Sequence, residues 1–351
     1  MAGLAAQLEA LIAAQGPIPV SRYMAEALYH PRDGYYMSML PFGSLGDYIT
    51  APEVSQMFGE LVGLWCVDSW RRLDIPLVES VSRDEPPLLI ELGPGRGTMM
   101  ADILRTTRRF TPFQAALIEI SPHLRGLQRN ALHGLGVEWH DTLEKVPAAP
   151  FVLVANELFD ALPIHQFVRL RDGWHERMVG RGPDGGLAFV AAPDTVPLGL
   201  DANEGDVAET CPAGEALMMQ IAERVVRDRG VALVIDYGRA ETGPGASLQG
   251  IKRHQPHPVL DMPGSADLTA HVDFAALVRA ARAAGAEVHG PTTQGHFLMA
   301  LGLAERAGAL HRTGAENIEA AVERLASPQQ MGTLFKVLAV VPPGFGPPAG
   351  F

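Results

Sequence analysis

The stretch "LLIELGPGRGTMM", Leu88 to Met100, begins as an apolar run, breaks into a turn with glycine at every second position, and resumes as a helix-forming segment. Its first five residues have the length and composition of a buried strand, and the residues from Thr98 to about Arg109 those of the helix that follows. A phosphate-cradling loop of the G-x-x-x-x-G-K-[ST] type needs a lysine for the β- and γ-phosphates. Here Arg96 is the only cation in the turn and no lysine follows. The dinucleotide pattern G-x-G-x-x-G would put its third glycine at position 98, which is Thr98. The spacing is instead G-x-G-x-G, over Gly93, Gly95 and Gly97, and Glu91 stands two residues ahead of it.

A carboxylate in that place repels a pyrophosphate and suits a cation. S-adenosylmethionine is such a ligand: it carries a sulfonium and an ammonium and no phosphate. Bare backbone lets its methionine and ribose portions lie against the turn. Glu91 is placed to accept from the amino group. Glu119 ends the next strand, 26 residues after Gly93, and is placed to accept from the ribose hydroxyls, as an acid does in dinucleotide folds.

Working outward, "FQAALIEI", "GVEWH", "FVLVAN" and "VALVIDYG" read as further strands. "SPHLRGLQRNAL" reads as a helix with Ser121 as cap and Pro122 at its first position. Apolar strands alternating with helices imply an α/β fold with a parallel sheet covered on both faces. "HQFVRL", "WHERMVG" and "GLAFVAA", divided by the turn signals "RDG" and "PDGG", predict an antiparallel insertion. Residues 238–269 read as a long loop, functional or mobile. Beyond it come the helix "HVDFAALVRAARAAG", in which Thr269 could serve as cap and Phe274 in the core, and a strand near "EVHG". More helix runs from about Phe297 to Ala326, and "FKVLAVV" closes a hairpin with the previous strand at the sheet edge. Upstream, Leu4, Leu8, Leu11 and Ile12 mark a short amphipathic helix. A long helix is expected from about Glu53 to Leu73, with Thr50 and Glu53 at capping-box spacing.

The fourth strand runs into "ANELFDALP", which brings Asn156, Glu157 and Asp160 to the carboxyl edge of the sheet. Ligands of doubly wound sheets bind at that edge, where strand order reverses. A pair of carboxylates has a natural target in a guanidinium, a planar fork of five donors. Two acids can orient it and leave one nitrogen aimed at a methyl donor for in-line displacement, where alignment supplies much of the acceleration. A proton must also leave a group whose pKa exceeds about 12, during or after transfer, to a carboxylate or to His271.

The balance of the composition narrows the partners. The chain has 351 residues with 47% apolar content, enough for a sizeable core, and a net charge of −12. That charge argues against a broad nucleic-acid or anionic-membrane footprint. No apolar stretch reaches the length of a membrane span. Two cysteines, Cys66 and Cys211, make a disulfide scaffold improbable. His254 and His257 lie between prolines without cysteine or carboxylate spacing, so no metal site is expected. The start of the chain has no Lys or Arg before Arg22 and carries Glu9, which points away from a targeting segment and towards the cytoplasm of a bacterium.

The stretches "GDYITAPEVSQMFGELVG", "ELGPGRGTMMADILR", "EISPHLRGLQR", "ANELFDALPIHQF", "IDYG", "SLQGIKRH", "PGSADLTAHVDF", "TQGHFLMALG" and "MGTLFKV" occur in order from about residue 20 to 340. Together they resemble the MidA-like proteins, the class that includes the mitochondrial complex I assembly factor with arginine methyltransferase activity. The resemblance implies a class I methyltransferase fold: Rossmann-like, with a seven-stranded, mostly parallel sheet, an antiparallel β insertion and added helical segments. It also implies S-adenosylmethionine as cofactor and dimethylation of an arginine on the large hydrogenase-like subunit of respiratory complex I, in support of its assembly. Gly93, Gly95 and Gly97 match the family's donor-binding glycines and Glu119 its ribose acid. Glu157 falls where arginine methyltransferases hold the first acid of their guanidinium-binding loop, an analogy of fold. Asp47, Thr50, Ser55 and Gln56 match an N-terminal signature expected to cover the site.

The expected organisation is a helical segment over 1–80 and a methyltransferase core over 81–351, with the β insertion at about 164–192 and a helical one at about 295–332. Glu157, Asp160 and His271 are the expected catalytic set. Glu91, Gly93, Gly95, Gly97, Glu119 and Asn156 are the expected donor-binding set. The expected partner is a protein substrate, with no nucleic acid and with a homodimer as one possible assembly. Other readings of the same residues are a methyltransferase for another protein or a small molecule, and a non-catalytic assembly chaperone retaining the fold.

Overall fold

The computed structural model describes residues 3–38, 49–73 and 86–351; Asp47 of the N-terminal signature and most of the charged stretch before Leu88 lie outside them. The chain divides into two compact units, one formed by 49–158, 216–240 and 274–351, the other by 1–48, 159–215 and 241–273.

The first unit is built on seven strands: β1 (Leu88–Leu92), β2 (Gln114–Ile118), β3 (Val137–His140), β4 (Phe151–Asn156), β5 (Val231–Arg239), β6 (Glu287–Thr293) and β7 (Phe335–Val341). Their order is β6-β7-β5-β4-β1-β2-β3. β5, β4, β1, β2 and β3 run parallel, and β7 returns antiparallel between β5 and β6. This is the class I methyltransferase arrangement, with the edge hairpin where the sequence puts it. Chain order reverses on either side of β1. The register pairs Leu92 with Ile118 and with Ala155, so the ends of β1, β2 and β4 form one level edge. Phe151–Asn156 is buried throughout, as a central parallel strand covered on both faces must be.

The helix expected over Glu53–Leu73 is two helices, Ala51–Val54 and Gln56–Arg72. Ser55 interrupts it: its backbone is extended and its side chain accepts from Met57 N–H, while Thr50 makes no side-chain cap. A serine that satisfies an orphan donor in an extended conformation starts a new helix more readily than it continues an old one. From the second helix Met57, Phe58, Leu61 and Trp65 enter a core shared with Met99, Met100 and Ile103 of helix Thr98–Thr107.

In the other unit, helix Leu4–Gln15 buries Leu4, Leu8 and Ile12 in a core with Tyr23, Met24 and Val179. The antiparallel insertion is a five-stranded sheet: Ile18–Pro19, Gly173–Arg181, His165–Leu170 and Val207–Thr210 in that order, with Leu187–Val196 on Gly173–Arg181. The segment read as a loop at 238–269 holds a second small sheet, Gln255–His257, Gln249–Lys252 and Asp267–Thr269, all antiparallel. Strands of three or four residues carry too few alternations to register as a period. Thr269 therefore lies in a strand rather than at a helix cap, and the following helix starts at Phe274.

One ionic cluster ties the added helices to the first unit's core. The buried Glu60 accepts from Arg105 Nη1 and Nη2, both at 3.1 Å, and from Arg306 Nε and Nη2 at 2.6 and 2.9 Å. Both arginines are partly exposed, so solvent screens the attraction and the main cost of losing Glu60 is unpaired donors. Glu60→Ala is expected to cost about 1–3 kcal/mol. Thermal unfolding should show a Tm several degrees lower, and unchanged affinity for a small ligand of the sheet edge would separate this role from a binding one.

Candidate functional site

The level edge of β1, β2 and β4 gathers most of the residues singled out in the sequence. Glu91, next to last in β1, is 2% exposed, and its Oε2 has no hydrogen-bond partner among the described residues. Burial pushes its carboxyl up to about 8. A buried carboxylate without a donor is costly, and a cation brought beside it would restore the ionised form.

The turn beyond it needs its glycines for conformation as well as for access. Gly93, Gly95 and Gly97 have φ of 63°, 53° and 85°, the left-handed region that glycine enters without penalty. A Cβ on Gly93 would also meet Leu158 Cδ1 at 2.8 Å. Gly97 is the residue before helix Thr98–Thr107. Arg96, between two of them, faces the partly buried Glu53 at 3.6 Å from Nε to Oε1. Burial raises the Glu53 carboxyl and Arg96 opposes the rise.

Glu119 follows β2 and is buried. Its Oε1 accepts from Ser121 N–H at 2.8 Å and its Oε2 from Gln128 Nε2 at 3.1 Å. Burial raises its carboxyl, and the Ser121 and Gln128 hydrogen bonds pull it back. Ser121 caps helix Pro122–Ala131 by accepting from Leu124 N–H, as its sequence position implies. The Gln128 amide also donates to the Gly95 carbonyl at 2.7 Å, which links Glu119 to the glycine turn.

Asn156 ends β4, buried, with Nδ2 donating to Glu157 Oε1 at 3.0 Å and Oδ1 unpartnered among the described residues. Glu157 is held at φ 51°, unusual for a residue with a side chain. Its N–H donates to Ile235 O at 2.9 Å, and its Oε1 also accepts from Ala51 N–H at 2.9 Å. Asp236, fully buried in β5, accepts from Leu158 N–H at 3.1 Å and Tyr237 N–H at 2.8 Å, and so fixes the next peptide of this bend.

Asp160 and His271 belong to the other unit. There, in the turn Phe159–Ala161, the Asp160 carbonyl accepts from Ala270 N–H at 2.9 Å, so the two stretches are neighbours. His271 N–H donates to Ser247 Oγ at 2.8 Å. Ser247 is in turn bound through its hydroxyl and its N–H to the buried Glu209, which also accepts from Gln166 and Leu248 N–H. Among the described residues no group of three or more His, Cys, Asp or Glu could hold a metal ion.

Gln128, Asp236 and Glu209 are absent from the sequence reading. Asp236 carried a signal, an acid inside the apolar run "VALVIDYG"; Gln128 and Glu209 carried none, since their partners come from other elements.

Comparison with known proteins fits this geometry. Residues 61–292 match the model of a family of S-adenosyl-L-methionine-dependent methyltransferases. The chain is 35% identical to the zebrafish (Danio rerio) protein arginine methyltransferase NDUFAF7, mitochondrial, over 95% of this chain and 86% of that one. It is 36% identical to the Drosophila melanogaster homolog over 97% and 85%, and 33% identical to the human protein over 94% and 81%. Among solved structures, a Burkholderia thailandensis methyl transferase relative bound to S-adenosyl-homocysteine superposes with a TM-score of 0.88 at 29% identity, over 99% of this chain and 93% of that one. The chain belongs to this family of S-adenosylmethionine-dependent methyltransferases. S-adenosylmethionine is its cofactor, and the residues at the sheet edge fit it: a buried carboxylate oxygen unpartnered among the described residues, a turn with glycine at three of its five positions, and no phosphate-binding lysine.

The Glu91 carboxyl gives a pH test with a definite sign. It titrates near 4.5 when unfolded and near 8 when folded, so the folded state holds the extra proton between those values. Stability is therefore lost as pH rises through that window. Glu91→Gln should match the parent Tm at about pH 5 and exceed it by several degrees at about pH 8.5. Its affinity for S-adenosylhomocysteine should fall about tenfold or more in calorimetry. A Tm difference that stays flat across the window counts against the assignment.

Proposed function

We propose that this methyltransferase acts on an arginine side chain of a protein, and that the protein is a complex I subunit of the large hydrogenase-like type, whose assembly it supports. The observation that carries the reading is Glu157: an acid held in a left-handed backbone at the sheet edge, one residue past Asn156 and fixed by Ala51 and Ile235. The relatives described above, protein arginine methyltransferases of mitochondria, support the same acceptor chemistry. The compartment proposed is the bacterial cytoplasm, the counterpart of the mitochondrion for which those relatives are named.

When bound, S-adenosylmethionine supplies an electrophilic methyl group on a sulfonium. Gly93, Gly95 and Gly97 present backbone to it, Glu91 takes its amino group, Asn156 uses its spare amide oxygen, and Glu119 receives the ribose hydroxyls. Glu157 holds the guanidinium in plane and stabilises its charge, so that one nitrogen is directed at the donor; alignment of that kind is the main lever for displacement at carbon. Asp160 is the proposed second acid and His271 the proposed proton acceptor, both on grounds of sequence order.

The test uses labelled donor with the recombinant subunit as acceptor, followed by peptide mass spectrometry. Glu157→Gln is expected to bind S-adenosylhomocysteine like the parent and to lose about 100-fold or more of the transfer to arginine. Full activity in that variant removes Glu157 from the mechanism. Label that passes from the parent enzyme to a small molecule or a different protein of the lysate, with the subunit unmodified, overturns the proposed acceptor.

A further inference from the structure

The buried amide of Gln128 has no part in the reading above, and its connections are specific. Gln128 sits on helix Pro122–Ala131 with no solvent exposure. Its Nε2 donates to Gly95 O at 2.7 Å and to Glu119 Oε2 at 3.1 Å, while its Oε1 accepts from Trp139 Nε1 at 2.9 Å. An indole nitrogen can only donate, and a carbonyl and an ionised carboxylate can only accept, so the three partners fix which end of the amide points where. Trp139 is itself seated on β3, with the Arg129 guanidinium 5.5 Å from its ring centre.

We propose that Gln128 is the positioning residue that sets the site's selectivity for a vicinal diol, by locking the Glu119 carboxylate to the Gly95 carbonyl. The proposal rests on the reading of Glu119 as the ribose acid. Ser121 N–H on one oxygen and Gln128 on the other, with the Ile120 N–H also bonded to the carboxylate, fix its orientation, and the adjacent hydroxyls of a ribose are donors for the acceptor capacity that remains. No other side chain of this length serves all three partners. Glutamate would repel Glu119 and offer nothing to Gly95; lysine would donate but could not accept from Trp139; methionine fills the volume with no donor. The role is one of position, since Gln128 acts through Glu119 and the turn.

The experiment measures binding of S-adenosylhomocysteine and its 2′-deoxy and 3′-deoxy analogues by calorimetry to the parent, Gln128→Met, Trp139→Phe and Glu119→Gln. The parent is expected to prefer the intact ribose by about 10- to 100-fold, the value of hydrogen bonds to a charged acceptor. In Gln128→Met that preference should collapse to within about threefold. Trp139→Phe, which leaves both amide donors in place and frees only their orientation, should fall between. It carries the test if the methionine variant does not fold. If Glu119→Gln keeps the parent's ribose preference, the reading of Glu119 fails. If Glu119→Gln loses it while Gln128→Met and Trp139→Phe keep it, Glu119 stands and the inference about Gln128 is overturned. A loss of affinity equal for all three ligands, with preference intact, marks a merely structural glutamine and also overturns it.

Discussion

A carboxylate sealed beneath a glycine turn, with one oxygen unmatched among the described residues, is the constraint around which the first unit is arranged. Glu91 is carried there by β1, whose neighbours leave it 2% exposed with its Oε2 unmatched among the described residues. A fold under selection for stability alone would put an apolar residue or a paired donor in that place. Retaining the acid is consistent with the proposal that a cationic donor binds beside it. The register does the rest: because Leu92 lies beside Ile118 and Ala155, the residues that follow each strand emerge side by side.

The parts legible in the sequence are those encoded by neighbours along the chain. The parallel strands declare themselves as apolar runs, the helix start at Ser121 by its cap and proline, and the turn at Gly93–Gly97 by composition. What escaped depends on partners far away. The break at Ser55 follows from a single side-chain hydrogen bond to Met57, which a helical pattern on both sides conceals. The small sheet within 238–269 is stabilised by pairing of Gln249–Lys252 with two other short strands, and none of the three has enough residues to show alternation. Gln128 reads as an ordinary polar position on an amphipathic helix; only the packed structure reveals that it faces inwards.

The motif "ANELFDALP" illustrates how a contiguous sequence can serve two bodies. Asn156 and Glu157 belong to the unit of the parallel sheet and Asp160 to the other, the chain changing units after Leu158. Each side is braced by its own buried acid. Asp236 holds the peptides of Leu158 and Tyr237, while Glu209 gathers Gln166, Ser247 and Leu248 and, through Ser247, the backbone of His271. Neither brace was expected, and both are the kind of fully bonded buried carboxylate that fixes geometry rather than adding much to stability.

The backbone at Glu157 bears on function independently of any relative. A residue with a Cβ in the left-handed region costs of order 1–3 kcal/mol unless its surroundings impose it. Here they do: Ile235 O takes its N–H, Asp236 the N–H of Leu158, and Ala51 N–H and Asn156 Nδ2 both reach its Oε1. Glycine would adopt the same bend without strain, as it does three times in the turn nearby, but would bring no carboxylate. A position that tolerates strain in order to keep an acid at the sheet edge supports the role proposed for Glu157 more readily than a purely structural one.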